Sequence, residues 1–255
     1  MAWYTFLNPV MEPLLRLGPF WAVLIVSLII SLIITLVYKF VTNQELMKKL
    51  KDEQKEYQQR MKSLKDQPQE MIKVQKEAMK KNMEYMKHSF KPTIITMLPI
   101  IIIFGWMNAH LAWEPIYPGE TYSITAFFEK GVTGEAELIL DDKNIKLSSD
   151  AQQPITNQEI TWRLQSKTAG PHIFEVKYQD QSYQKKVLIT QELQYEEPFT
   201  LFQHSDLTKL QINYTKLRPL GPNFSIFGWQ PGWLGLYIFF SLVFSMALRK
   251  GLKIY

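Results

Sequence analysis

The fold is decided by residues 43–90, which read NQELMKKLKDEQKEYQQRMKSLKDQPQEMIKVQKEAMKKNMEYMKHSF. Apolar residues recur there at spacings of three and four, as on one face of a helix. Asp66-Gln67-Pro68-Gln69 divides the stretch, because proline removes a backbone donor and interrupts a helix. The pattern predicts a polar helical hairpin with one apolar stripe on each arm. The stripe residues are Leu46, Leu50, Tyr57, Met61 and Leu64 on the first arm and Ile72, Met79, Met83, Met86 and Phe90 on the second.

Two long apolar segments flank the predicted hairpin. Residues 17–37 precede it and residues 93–113 follow it, and neither segment contains Asp, Glu, Lys or Arg. At a rise of 1.5 Å per residue, about 20 helical residues cross the roughly 30 Å hydrocarbon core of a bilayer. A third apolar run, residues 232–248, is followed by Arg249 and Lys250. We therefore predict three membrane-spanning helices.

The charges of the connecting segments predict the orientation of these spans. Residues 43–91 contain 13 basic and 8 acidic residues, whereas residues 114–200 contain 8 basic and 14 acidic ones. Because short loops rich in lysine and arginine stay in the cytoplasm, we place the hairpin and the carboxyl terminus there. The amino terminus and residues 114–200 are then outside. The short apolar piece from Trp3 to Leu17 is expected to lie along the outer membrane surface. A secretory signal peptide is not expected, because there is no basic head and the apolar run is too long.

Between the second and third spans the apolar period changes from that of a helix to two, which is typical of strands with one buried face. Six or seven short strands separated by turn residues predict a small antiparallel sandwich that resembles the immunoglobulin-like class. The residues after it, 203–231, are rich in proline, glycine and aromatics and are expected to be irregular. The alternating runs are Tyr122 to Phe128, Leu138 to Leu140, Ile160 to Leu164, Phe174 to Tyr178 and Val187 to Ile189.

These observations predict six successive regions of the chain. They are an outer segment with the first span (1–42), a cytosolic hairpin (43–91), the second span (92–113), an external β-sandwich (114–202), an external irregular segment (203–231) and the third span with a basic tail (232–255).

Several functional classes lack their sequence signals. The chain contains no cysteine, which excludes disulfides and thiol catalysis. It has no phosphate-binding glycine loop, no His-x-x-x-His pair and no nucleophile elbow. Its four histidines, His88, His110, His172 and His204, are scattered over both predicted sides of the membrane. We therefore expect a protein that is not an enzyme, with no catalytic residues, no metal, no cofactor and no DNA partner.

Hydroxyl residues recur every four positions on two of the spans, and each series ends in a cation. Four residues advance a helix by about 400°, so each series forms a slowly winding stripe. One interpretation is a hydrophilic groove shared by the spans. The alternative is close helix packing, in which the hydroxyls bond to carbonyls of their own helix. Two parallel stripes favour the groove, with these residues: Ser27, Ser31, Thr35, Lys39, Thr96, Tyr237, Ser241, Ser245 and Arg249.

The hairpin carries six of the eleven methionines. Flexible, polarizable methionine side chains adapt to many apolar shapes and suit surfaces that bind varied hydrophobic partners. We expect Met61 and Met71 in the seam between the arms. For Met79, Met83 and Met86, with Phe90 beside them, both the seam and a binding surface stay open. The excess of lysine on the hairpin has two interpretations. The lysines either form a solvated helix face or attract anionic lipid or ribosomal RNA.

Several short motifs occur along the chain: Asn8 to Leu15, Tyr38-Lys39-Phe40, Gln75 to Lys87, Phe90-Lys-Pro-Thr with Met97-Leu-Pro, and Gly232 to Tyr237 with Leu248-Arg-Lys. With the order of span, hairpin, span, external segment and span, these motifs make the chain similar to an archaeal member of the YidC/Oxa/Alb superfamily of membrane protein insertases. That superfamily includes the insertase subunit of the eukaryotic ER membrane protein complex.

The resemblance implies an α-helical membrane protein with a three-span YidC-like core and a cytosolic coiled-coil hairpin. To this core the chain adds an external all-β sandwich between the second and third spans. The implied function is to guide hydrophobic segments of nascent proteins into the lipid bilayer through a cytosol-open hydrophilic groove, without ATP. Implied partners are nascent membrane segments and lipid, with the ribosome and the Sec translocon as further candidates.

Two departures from the family leave other functions open. Family members often carry a basic residue well inside the groove, whereas the nearest cations here are Lys39 and Arg249 at the predicted boundary. The sandwich has no counterpart in the minimal fold. Alternatives are therefore a membrane-anchored binding or sensing protein that uses the sandwich, and a structural subunit of a translocon.

Overall fold

The structure, a computed structural model, describes residues 4–64, 67–140 and 144–254. The chain divides into two compact units, one of Met1–Gly105 with Pro219–Tyr255 and the other of Trp106–Arg218. The predicted turn residue Asp66 and most of the predicted turn at Asp141 to Asn144 lie outside the described residues.

The first unit is helical. A short 3-10 turn, Thr5–Leu7, leads into the helices, and three helices of the described residues are long and apolar enough to cross a membrane. They correspond to the three predicted spans. The helices are α1 (Asn8–Leu15), α2 (Pro19–Val41), α3 (Gln44–Ser63), α4 (Pro68–Leu111) and α5 (Trp233–Gly251), of which α2, α4 and α5 are the candidate spans.

The second arm of the hairpin and the second span form one continuous helix, α4, of 44 residues. In the sequence, Lys91-Pro92 predicts a boundary between them, because proline removes a helix hydrogen bond. Pro92 and Pro99 both lie inside α4. Hydroxyl groups bond to carbonyls around Pro92: Thr93 Oγ1 donates to Ser89 O, and Thr96 Oγ1 donates to Pro92 O, both at 3.0 Å. Such local bonds help a membrane helix to tolerate proline.

Helices α2 and α5 pack against each other. The rings of Phe20 and Phe240 meet edge to face with centroids 5.8 Å apart. Further along, Ser31 Oγ donates to the carbonyl of Ser241 at 3.5 Å. Helix α4 packs on α5 through Phe104, whose ring centroid lies 4.7 Å from that of Tyr237. The end of α4 thus meets the start of α5, while Arg249 at the end of α5 lies beside the middle of α4, so these two helices run antiparallel.

The second unit contains two antiparallel sheets. The five-stranded sheet has the order β3-β5-β1-β9-β8, and the four-stranded sheet has the order β4-β2-β6-β7. The five alternating runs of the sequence lie in β1, β2, β5, β6 and β7, as predicted. The strands are β1 (Thr121–Phe128), β2 (Glu135–Leu140), β3 (Ile145–Leu147), β4 (Gln152–Pro154), β5 (Glu159–Ser166), β6 (Gly170–Tyr178), β7 (Gln181–Ile189), β8 (Phe199–Leu201) and β9 (Leu207–Ile212).

Alternate residues of both sheets contribute to one hydrophobic core. Trp162 and Leu164 from the five-stranded sheet and Phe174 and Val176 from the four-stranded sheet are completely buried. Burying large apolar side chains is the main favourable term in such a small β unit.

The expectation that residues 203–231 are irregular is wrong at their amino-terminal end. Strand β9 lies there and pairs with β1 in the middle of the five-stranded sheet. The register shifts at Phe127 and Phe128, so Leu207 is buried out of phase with Leu210 and Ile212. An irregularity of this kind breaks the simple alternation by which a strand is recognised in sequence. The β unit therefore continues beyond residue 202.

Candidate functional site

A cavity of about 280 Å³ lies where the ends of α2 and α5 meet the middle of α4. About half of its wall is polar, formed by hydroxyl, phenol and guanidinium groups, and the other half is apolar. Polar residues gathered between membrane-length helices generally serve a function, so the cavity is a candidate site. The residues that line it are Ile34, Tyr38, Tyr85, Ser89, Pro92, Thr93, Thr96 and Arg249.

One side of the cavity is formed by Tyr38 and Arg249. Tyr38 lies in the last turn of α2, and Arg249 lies in the last turn of α5. The Arg249 guanidinium carbon lies 5.2 Å from the centroid of the Tyr38 ring, within the range of a cation–π contact. Because a cation also complements the carboxyl end of a helix dipole, Arg249 is well placed where it stands.

The other side of the cavity is one face of α4. Tyr85, Ser89, Pro92 and Thr96 follow one another at spacings of four, three and four, so they share this face. The same face continues toward the hairpin as the half-buried Ala78 and the buried Val74. This stripe is not evident in the sequence, because Lys91-Pro92 predicts a boundary that divides α4.

Of the nine residues predicted for the groove, Thr96 and Arg249 line the cavity. Ser27, Ser31 and Thr35 are instead buried on α2, each at most 2% exposed. Ser27 donates to Val23 O and Thr35 donates to Ser31 O, both at 2.6 Å and both within their own helix. Their burial and these bonds fit the packing alternative, and the role of the three residues in a groove stays a prediction.

The remaining predicted groove residues also lie apart from the cavity wall. Tyr237 is buried beside Phe104, and Ser241 Oγ donates to Ile238 O of its own helix at 3.0 Å. Lys39 and Ser245 are half-buried. The cavity thus brings together two of the predicted residues with six others.

The two arms of the hairpin are joined by polar contacts. Lys81 Nζ lies 2.9 Å from Glu53 Oε2, and Gln54 Nε2 donates to Asn82 Oδ1 at 3.2 Å. Met61 and Met71 are half-buried, and their place in the seam stays a prediction. Met79, Met83 and Met86 are 64%, 52% and 48% exposed, which removes them from the seam. The predicted coiled coil is not supported.

The exposed methionines belong to a longer apolar stripe on α4. Exposed apolar residues continue at spacings of three and four from Met79 to Ile101, which at 1.5 Å per residue covers about 33 Å. The stripe thus begins on the hairpin and continues along the span without interruption. We refer to it as the α4 stripe; its members are Met79, Met83, Met86, Phe90, Ile94, Met97 and Ile101.

Within residues 4–64, 67–140 and 144–254, no group of three or more His, Cys, Asp or Glu side chains is arranged to hold a metal ion.

The cavity and the α4 stripe fall largely within a region of recognisable family likeness. Residues 4–129 match the family described as integral membrane protein EMC3/TMCO1-like. This family belongs to the YidC/Oxa1/Alb3-related insertase clade, so the match supports the superfamily resemblance seen in the sequence. The EMC3/TMCO1-like match points to membrane protein insertion or biogenesis in general, and to membrane proteins and lipid as partners.

The likeness covers α1 to α4 and β1, including Tyr38 and the α4 face of the cavity, but not Arg249 or most of the β unit. No curated protein and no solved structure matches the chain. The archaeal origin suggested by the sequence motifs stays a prediction.

Proposed function

We propose that the chain is a membrane protein insertase, which guides hydrophobic segments of nascent proteins into the bilayer without ATP. The observation that carries this proposal is the arrangement of α4. One face of the helix lines the polar cavity, and another presents the exposed α4 stripe. A membrane segment with a polar flank needs both kinds of surface, one apolar and one hydrophilic.

In the proposed mechanism, the hairpin part of the α4 stripe captures an apolar segment of the client. Met79, Met83 and Met86 adapt to different side chains because methionine is flexible and polarizable. Phe90 then leads from the hairpin into the apolar part of the same helix. The client therefore moves along one continuous apolar surface from the hairpin toward the bilayer.

The polar cavity would lower the cost of moving the client's hydrophilic flank. A charge at the centre of a bilayer costs about 2.5–3.5 kcal/mol even on insertion scales. The Arg249 guanidinium offers a partner for an acidic flank. The Thr93 and Thr96 hydroxyl groups donate to carbonyls of α4, but their oxygens can still accept a hydrogen bond from the flank. Because the cavity lowers the free-energy cost of moving the flank, insertion requires no energy from ATP hydrolysis.

The proposed orientation follows the loop charges. The basic hairpin and the carboxyl terminus are cytoplasmic, and the amino terminus and the β unit are outside. The cavity then lies near the cytoplasmic end of α2 and α5 and opens toward the cytosol. The excess of lysine on the hairpin suits contact with a ribosome, and the Sec translocon is a further candidate partner.

The test is insertion into liposomes that contain the purified protein and no ATP. We expect a protein in which Met79, Met83 and Met86 are all replaced by glutamine to insert hydrophobic clients poorly. The matched control replaces the same three residues by leucine, which keeps the stripe apolar and should preserve insertion. Equal insertion by liposomes with and without the protein would reject the insertase function. An anchored binding protein or a structural translocon subunit would remain, since neither requires a polar cavity.

A further inference from the structure

Residues 224–229, just before α5, form a small hairpin, which we call the aromatic hairpin. Ile226 and Trp229 exchange both backbone hydrogen bonds, each with an N···O distance of 2.9 Å. Phe227 and Gly228 are therefore the central residues of a two-residue turn, and their φ angles are +50° and +82°. Such turns favour Asn-Gly, because a bulky side chain is strained at positive φ.

Phe227 does not compensate for this strain by packing within the described residues. Its side chain is fully exposed, at 105% of the reference accessibility. Phe224, Ile226 and Trp229 are exposed as well. A cluster of exposed aromatic and apolar residues on one short turn is typical of a surface that contacts a membrane or another protein.

The depth of the aromatic hairpin is fixed by Trp229. A Cβ atom added to Gly235 would lie only 2.8 Å from Trp229 Cζ2, so the indole ring rests directly on this glycine. Gly235 is in the first turn of α5, whose 19 residues span about 28 Å, close to the thickness of the hydrocarbon core. The indole therefore lies at the level where α5 enters the membrane.

We propose that the aromatic hairpin inserts into the interfacial region of the lipid bilayer, beside the amino end of α5, with Phe227 as its tip. Residues 219–248 contain no charged side chain that would oppose insertion. Tryptophan also prefers the boundary between headgroups and acyl chains, where its ring is partly hydrated. The partner is lipid, and the contact continues the membrane surface of α5. This proposal does not depend on the insertase function.

The test uses single cysteines, since the native chain has none. Phe227→Cys is labelled with an environment-sensitive fluorophore and reconstituted into vesicles of phosphatidylcholine and phosphatidylglycerol. The matched control is Gln179→Cys, because Gln179 also has positive φ, at +52°, in the two-residue turn between β6 and β7. Quenching is measured with nitroxide-labelled phosphatidylcholine and with aqueous iodide.

We expect the label at 227 to be quenched several-fold more strongly by the nitroxide lipid than the label at 179, and several-fold less by iodide. Equal iodide access at both positions would overturn the proposal. Protection of the 227 label from both quenchers would also overturn it, because a protein would then cover the hairpin.

A second measurement separates a lipid contact from a turn requirement. Phe227→Asn places a residue that tolerates positive φ at the tip, so the turn itself should persist. A label on Ser225→Cys should nevertheless become more accessible to iodide in the Phe227→Asn protein than with Phe227 present. Unchanged iodide access at position 225 would contradict a lipid contact made through Phe227.

Discussion

The guanidinium of Arg249 lies over the ring of Tyr38, with 5.2 Å between its central carbon and the ring centroid. The contact joins the last turn of α5 to the last turn of α2, and both residues line the polar cavity. Exposed cation–π contacts are worth about 0.5–1 kcal/mol, so this one orients the cation more than it stabilises the helices. The positive charge is thus held beside the hydroxyl groups of α4.

The first prediction concerns this charge. Arg249→Gln should reduce the insertion of clients with acidic flanks and leave clients with neutral flanks nearly unchanged. The reason is that the cavity loses its cation but keeps its hydroxyl groups. Lys250→Gln is the matched control, since Lys250 is the next residue and does not line the cavity. Liposome insertion of two clients that differ only in flank charge measures the effect. An equal loss for both clients, or an equal effect of Lys250→Gln, would contradict the assigned role.

The second prediction tests the packing of α2 on α5. Ser31 is 2% exposed and bonds to the Ser241 carbonyl, so Ser31→Leu should overpack the interface. We expect a destabilisation of about 1–3 kcal/mol from such an insertion of extra carbon atoms. Ser31→Ala is the control and should cost less, because it adds no volume. Thermal unfolding in detergent measures both changes. A Ser31→Leu protein as stable as the native one would instead favour a hydrophilic groove at this position.

The third prediction concerns the extent of the β unit. Residues 114–218 expressed alone should fold cooperatively, whereas residues 117–202 should not. The shorter fragment lacks β9, which lies between β1 and β8 and buries Leu207, Leu210 and Ile212. Circular dichroism with thermal unfolding distinguishes the two fragments. Cooperative folding of residues 117–202 would show that β9 is dispensable.

The helices and the five longer alternating strands could be predicted from the sequence, because each repeats its apolar period over several residues. Strand β9 could not be predicted, because the register shift at Phe127 and Phe128 breaks the alternation of buried residues between Leu207 and Leu210. Strands β3, β4 and β8 have three residues each, which is too short for a period to appear.

The functional site was only partly predictable, because the spacing of residues on a helix does not show what each helix face contacts. The spacing of Ser27, Ser31 and Thr35 is the same whether a stripe faces water or a neighbouring helix, and only the packing of α5 distinguishes the two. The cavity stripe of Tyr85, Ser89, Pro92 and Thr96 crosses Pro92, which in sequence signals a helix end. The exposed face of Met79, Met83 and Met86 depends on which side of α4 meets α3, which a period alone does not determine.

The fourth prediction is a pH dependence of the β unit. Burial raises the pKa of Tyr122 from 10.0 to about 12, and a hydrogen bond with Ser166 Oγ, at 2.7 Å, partly opposes this shift. The pKa of Tyr122 is higher in the folded state than in the unfolded state. The contribution of Tyr122 to the free energy of unfolding is therefore complete below pH 10 and is lost as the pH rises to about 12. With about 1.4 kcal/mol per pKa unit, the loss is about 2–3 kcal/mol.

Denaturant unfolding of residues 114–218 at pH 9 to pH 12 measures this loss, and Tyr122→Phe should flatten its slope. Burial also raises the pKa of Tyr214, which adds a loss of the same sign. Burial lowers the pKa of Lys185, so that residue contributes stability that increases with pH. An identical slope for the native and Tyr122→Phe domains would show that Tyr122 does not titrate as described.

The central claim is that a client follows α4, and site-specific photocrosslinking of ribosome–nascent chain complexes tests it most directly. A photoreactive residue is placed at Met83 on the α4 stripe, at Thr93 on the cavity wall, or at Ala78 on the half-buried face as a control. We predict that the apolar segment of the client crosslinks from position 83 and its hydrophilic flank from position 93, with little product from position 78. Equal crosslinking from all three positions, or product from position 78 alone, would contradict the claim.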